Sequence, residues 1–274
     1  MLVLALLLAS AATALSPLDL QACVDQRPFA ADLKALGELR AGAPEAAWRA
    51  ACAQAVAAND RRTRIVDQVL GGAVIEGYES AAKFTRQAAS ASDPVVRELF
   101  QRAARDQAAR GSLSADARSA YGGDGSPTAL RLLNGLISGE AVNVDQDNQA
   151  WLAETTKRRG WFVISRDGPD ADAAAWLIVQ HSDADPAFQK RMIDLLEPLA
   201  ARGETSAKRF AYLYDRWAAG AGAPQRYGLQ GSCVSPGQWR PRPLEAPGQV
   251  DMLRSRAGLP PLEEHVRRSS ERCS

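Results

Sequence analysis

The sequence predicts an all-α fold of packed helical hairpins, with a long irregular Pro/Gly-rich segment near the C-terminus. Three observations carry this. Almost no stretch alternates apolar and polar residues with period two, as a half-buried strand requires. Apolar residues instead recur three and four apart, as in Val96, Leu99, Phe100 and Ala103, or Phe210, Leu213, Tyr214 and Trp217. Helix-start signals precede several of these stripes, notably Asp93-Pro94 and Asp185-Pro186, where the aspartate suits the cap and the proline the first helical position. Of the 274 residues, 46% are hydrophobic and 24% charged, which is ample for a core. Thirty-three basic residues stand against 32 acidic ones, a net charge of +1, so no basic surplus points to nucleic acid.

Taken in order, Met1 to Ala14 reads as a signal peptide: a short apolar run, then small residues with Ala12-Thr13-Ala14 as an A-x-A cleavage site, although a basic leading region is absent. The run is shorter than the roughly 20 apolar residues of a membrane-spanning helix. The expectation is an exported protein, periplasmic or secreted, with no membrane span once the signal is removed. Four cysteines fit an oxidising compartment, and their clustering predicts the bridges Cys23–Cys52 and Cys233–Cys273. No C-x-x-C suggests zinc.

Residues 15–92 form an N-terminal helical region. Two short helices joined by the Ala41–Pro44 turn are expected there, then a break at Asn59-Asp60 and an interruption at Gly71-Gly72. Residues 93–274 form the C-terminal helical domain. Its first helix, from Pro94, places Asp106 and Arg110 four apart, and its apolar stripe turns polar at Gln107 and Arg110. After the loop Tyr121–Pro127, short helices are expected over Leu130–Ile137 and Gln149–Arg159, the latter capped by Gly160. Trp161–Ile164 reads as a buried extended segment. Asp170 or Asp172 is placed to cap the helix ending at His181, and Thr205 or Ser206 the helix carrying Asp215. Gly220–Gly231 is a loop, Pro236–Pro247 is irregular, and two short helices over Val250–Ala257 and Pro261–Arg268 close the chain.

Several chemistries are excluded. With His181 and His265 the only histidines there is no H-E-x-x-H zinc motif, and neither G-x-S-x-G nor a strand followed by G-x-G-x-x-G occurs. What remains is carboxylates around one histidine. His181, Asp183 and Asp185 lie close in sequence, and an aspartate that orients an imidazole makes it a general base near neutral pH. Asp185 already serves as a helix cap. Carboxylates beside a histidine also suit a divalent cation, but nothing in the spacing assigns a resident metal or a cofactor.

Six motifs then occur in a fixed order: Asp106 to Arg110 as D-Q-x-x-R, Asp145 to Asn148 as D-x-x-N, Gln180 to Gln189 as Q-H-S-D-x-D-P-x-F-Q, Ala211 to Arg216 as A-Y-L-Y-D-R, Gln225 to Gln230 as Q-x-Y-G-L-Q, and Gly258 to Leu262 as G-L-P-P-L. Over roughly residues 95–266 the chain resembles an uncharacterised bacterial domain-of-unknown-function family. Ser182, Tyr214 and Leu229 depart from its usual Ala, Thr and Thr. The resemblance supplies no activity, but motifs this polar imply a site shared by several helices. The expected site places His181 as base, with Asp183 or Asp215 to orient it. Gln107, Arg110, Asn148, Gln180, Arg216, Tyr227 and Gln230 would contact an unidentified small molecule or peptide. A hydrolytic use is expected, with a non-catalytic ligand- or protein-binding module as the alternative.

Overall fold

A computed structural model of the chain describes residues 42–111 and 125–274. The expected signal peptide, the first helix of the N-terminal hairpin and Cys23 lie outside the described residues. The chain divides into two compact units, each made of two stretches: Met1–Asp67 with Ser112–Glu140, and Gln68–Gly111 with Ala141–Ser274. The sequence boundary at 92/93 falls inside the second unit.

In the first unit, helix α1 (Glu45–Leu70) begins. Its face Trp48, Ala51, Cys52 and Ala55 packs on Ala129, Leu132, Leu133, Leu136 and Ile137, which belong to helix α4 (Pro127–Arg159). The expected break at Asn59-Asp60 is absent. The helix runs through it because the buried face continues past it, to Arg62 in the first unit, whose guanidinium pairs with Glu140. The two helices expected over 130–159 are likewise one. No proline interrupts residues 128–159, and both halves of α4 have buried residues to pack, so propensity dips at Gly135 and Gly139 do not end it.

The second unit holds the larger core. Helices α2 (Glu79–Ser90) and α3 (Pro94–Gly111) pair, with Phe84 stacked on Phe100 at 6.2 Å. Asp93 caps α3 as expected, its Oδ1 accepting from the backbone N–H of Val95 (2.7 Å) and Val96 (3.3 Å). Gly160, at φ 75°, ends α4. Trp161 and Phe162 then run extended and buried into the single turn α5 (Ile164–Asp167).

Helix α6 (Pro169–His181) is capped by neither Asp170 nor Asp172, since Gly168 occupies the cap position. Asp172 lies one turn inside the helix, fully buried, and accepts from Trp161 Nε1 (2.9 Å) and Thr205 Oγ1 (2.5 Å). It is an interior tie. Helix α7 (Pro186–Ala201) starts at the Asp185 cap (Phe188 N–H to Oδ1, 2.8 Å), and α8 (Ala207–Gly220) at the Ser206 cap.

The irregular segment contains an antiparallel hairpin, β1 (Gly231–Ser235) with β2 (Gln238–Pro241), which the sequence reading does not anticipate. Helices α9 (Val250–Arg256) and α10 (Leu262–Ser270) finish the chain. Cys233 on β1 is bridged to Cys273, tying the hairpin to the chain end. Cys52 is buried in the first unit, and its expected partner Cys23 is outside the described residues. Among the described residues no helix is long and apolar enough to cross a membrane.

Candidate acid–base site

Three helices of the second unit bring polar side chains to one place. On α3, Arg102, Asp106 and Arg110 are four apart and share one face. Asp145 and Asn148 share a face of α4. His181 is the last residue of α6, and the turn after it carries Asp183.

Asp106 is the hub. Its side chain is fully buried, and each oxygen accepts from several donors. His181 Nδ1 lies 2.8 Å from Oδ1 and 3.0 Å from Oδ2. Arg110 donates to Oδ1 at 2.7 Å, and Gln107 Nε2 to Oδ2 at 2.8 Å. Arg110 also reaches Asp145 through both carboxylate oxygens, each at 2.7 Å. The guanidinium therefore bridges two carboxylates from different helices. Burial pushes the Asp145 carboxyl above its ordinary value, against the pull of Arg110.

This geometry reassigns the orienting group. The carboxylate on Nδ1 is Asp106, not Asp183 or Asp215. A carboxylate can accept only along Nδ1–H, so the neutral ring is held in the tautomer with a lone pair on Nε2. No described residue bonds Nε2, and the His181 side chain is 13% exposed. One ring nitrogen is anchored in the interior while the other is left unengaged.

Asp183 is half exposed and pairs with Arg216, whose Nε donates at 2.9 Å, and with Gln189 Nε2 at 3.1 Å. Burial raises its pKa, but the Arg216 hydrogen bond and charge outweigh this and hold it below the usual carboxylate value. It sits close enough to His181 to interact by charge without bonding it. Gln180 takes part through its carbonyl, which Gln189 approaches at 3.5 Å. Asn148 is buried, accepts from Arg102 at 3.4 Å, and donates from Nδ2 to no described residue.

The other three expected residues do different work. Asp215 is fully buried and accepts from the backbone N–H groups of Arg226 (2.9 Å), Tyr227 (3.1 and 3.2 Å) and Leu229 (2.8 Å). It anchors the loop after α8, and burial raises its pKa despite those bonds. Gly228, inside this turn at φ 69°, holds a left-handed conformation that strains any other residue, and a Cβ there would also push Leu262 Cδ1 aside from 2.7 Å. Tyr227 is buried among core residues. Gln230 is clipped to buried Gln225 by two hydrogen bonds of 2.8 Å each, one in each direction. None of the three bonds His181 or Asp106.

The departures from the motif pattern are also packing features. Leu229 belongs to the apolar core. Ser182 is buried and donates to the Ile178 carbonyl at 2.9 Å. Tyr214 bonds Glu245, with the Arg226 guanidinium 4.0 Å above its ring, and burial followed by Glu245 pushes its pKa up to about 12.

Asp106, Asp145 and His181 each offer a ligand-type atom within 4.8 Å of one another, the donor set of a divalent-cation site. The carboxylate oxygens are already engaged. Arg110 contacts both carboxylates at 2.7 Å, so a metal would have to displace a guanidinium that neutralises the same charges.

The partners sequence reasoning missed, Asp106 and Asp145, were inside motifs it quoted. The missing signal was spatial, since 75 residues separate Asp106 from His181. Neither a curated protein nor a solved structure matches the chain. A family model matches residues 95–272, more than half of the sequence and all of the residues described above as the site. The chain belongs to the family of unknown function DUF6624.

Proposed function

We propose that this chain is an exported helical enzyme in which His181 Nε2 is a general base, most directly for hydrolysis. The observation that carries the reading is the buried Asp106 carboxylate on Nδ1 at 2.8 Å, with Nε2 unengaged. In such a pair Nε2 takes a proton from water or a hydroxyl as it attacks, and the carboxylate stabilises the imidazolium that forms. Asp106 is then a positioning residue. Arg110 and Gln107 spend their donors on Asp106 and Asp145, so they hold the base in place rather than bind substrate. Asp183 and Arg216, both partly exposed, are the groups beside His181 best disposed to meet a ligand. Export is supported by the apolar leader and by the Cys233–Cys273 bridge, which suits an oxidising compartment.

The test assays the purified chain against nitrophenyl esters, phosphate mono- and diesters and aminoacyl anilides. Turnover of one class is expected to fall at least about a hundredfold in His181→Ala while the melting transition is retained. A second reading, in which the cluster only ties helices together, is favoured by the saturation of Asp106 by its own chain. It predicts the opposite: His181→Ala lowers stability, and no substrate class is turned over in a His181-dependent way.

A further inference from the structure

A cavity lies against another face of α3, within the same unit. It has a volume of about 540 Å³, inside the range of small-molecule sites. Its wall comes from the end of α1 (Leu70 with Gly71 and Gly72), from α2 (Thr85, Arg86, Ala88 and Ala89) and from α3 (Arg97, Gln101, Ala104 and Arg105). Leu70, Ala88 and Ala104 give it an apolar floor. Three arginines stand around it, and no aspartate or glutamate is among the described lining residues.

The cavity's arginines differ in their partners from the other two arginines of α3. Elsewhere on α3, Arg102 is matched to Glu98 and Asp147, and Arg110 to Asp106 and Asp145. Around the cavity the arginines are not so matched. Arg97 spends Nε and Nη2 on the Ala91 carbonyl, which fixes its guanidinium at the rim without neutralising it. Arg86 and Arg105 make no hydrogen bond or ion pair with any described residue. Three like charges around one concavity repel each other, and an anion seated among them relieves that. Arginine's fork suits the paired oxygens of a carboxylate or phosphate, and the apolar floor suits an organic body attached to them.

We infer that this cavity binds a small organic oxyanion, a carboxylate or phosphate ester on an apolar body, gripped by Arg86 and Arg105 over the floor formed by Leu70, Ala88 and Ala104. The inference does not rest on the proposed role of His181, because none of the residues involved belongs to that cluster.

Isothermal titration of the full chain with phenyl phosphate, benzoate and neutral benzyl alcohol tests it. Saturable binding of one or both anions is expected, and none of the alcohol. Tighter phenyl phosphate identifies a phosphate ester as the natural class, and tighter benzoate a carboxylate. The double variant Arg86→Gln with Arg105→Gln, both exposed positions, is expected to weaken binding at least about tenfold at an unchanged melting temperature, since two charge-assisted contacts are lost. Ala89→Trp, which fills the rim without touching charge, is expected to abolish it. No saturable binding at millimolar concentrations, equal binding of benzyl alcohol, or anion binding unaltered in both variants would overturn the inference.

Discussion

Replacing Asp215 with alanine separates a loop anchor from a reacting group. The wild-type carboxylate accepts four hydrogen bonds of 2.8–3.2 Å from three backbone N–H groups, two of them buried, at Tyr227 and Leu229. Alanine leaves those two donors without an acceptor, at about 1–3 kcal/mol each. Relief of the carboxylate's own burial, which raises its pKa, offsets part of this, so a net loss of about 3 kcal/mol is expected. Asp215→Asn keeps one acceptor oxygen and is expected to lose about half as much. Urea unfolding followed by tryptophan fluorescence measures both. The pH dependence has a definite sign. A carboxyl raised above its ordinary 3.8 by the fold contributes stability that is fully present below 3.8 and is lost as pH rises through the folded value. The advantage of wild type over Asp215→Asn is therefore largest at the acid end and shrinks as pH rises. A loss under about 1 kcal/mol for Asp215→Ala would refute the anchoring role, and an advantage that grows with pH would contradict the raised carboxyl pKa.

Other expectations follow from the same geometry. Opening the Cys233–Cys273 bridge, which closes a separation of 40 residues, is expected to cost about 4 kcal/mol by the chain-entropy estimate, read as a drop in melting temperature for Cys273→Ser; an unchanged transition would contradict it. A cation bound at the Asp106–Asp145–His181 cluster would add about 2.7 kcal/mol at a hundredfold excess over its Kd. With Arg110 in that seat, magnesium, manganese and zinc are each expected to leave the melting temperature unmoved, and a saturable rise lost in Asp145→Asn would show otherwise. Diethyl pyrocarbonate is expected to modify His181 ahead of His265, whose Nε2 is buried without a partner; mass mapping that finds His265 first would count against an available Nε2 on His181.

Local chemistry made part of this fold legible. Asp93, Asp185 and Ser206 cap the helices they precede because a cap needs only a side-chain oxygen within three residues of its N–H partners. Signals that tertiary packing overrides were misleading. Asn59-Asp60 and the stretch around Gly139 look like helix breaks, yet α1 and α4 run through them because buried residues lie on both sides. The β1–β2 hairpin, with strands of five and four residues and a proline at its end, is too short to show periodicity. For the site, the motif around His181 marked the histidine correctly as a polar residue near the buried face. Its partner could not be chosen from proximity in sequence. Asp183, two residues away, turns to Arg216, while Asp106 is delivered from another helix. Asp215, inside an equally polar motif, is bound by its own following loop. Polar motifs here mix residues of the His181 cluster with loop anchors, and only the three-dimensional partners tell them apart.

On the proposed reading Asp106 holds His181 with Nδ1 protonated and Nε2 available. Two histidines in the chain make a direct measurement simple: long-range nitrogen–proton NMR on uniformly nitrogen-15-labelled protein, with His181→Gln for assignment, in the pH range where the ring is neutral. The Nδ1–H tautomer is expected for His181 in the wild type, and its loss in Asp106→Asn. An Nε2–H tautomer in the wild type, or the same tautomer in both proteins, would rule out Asp106 as the group that orients the ring.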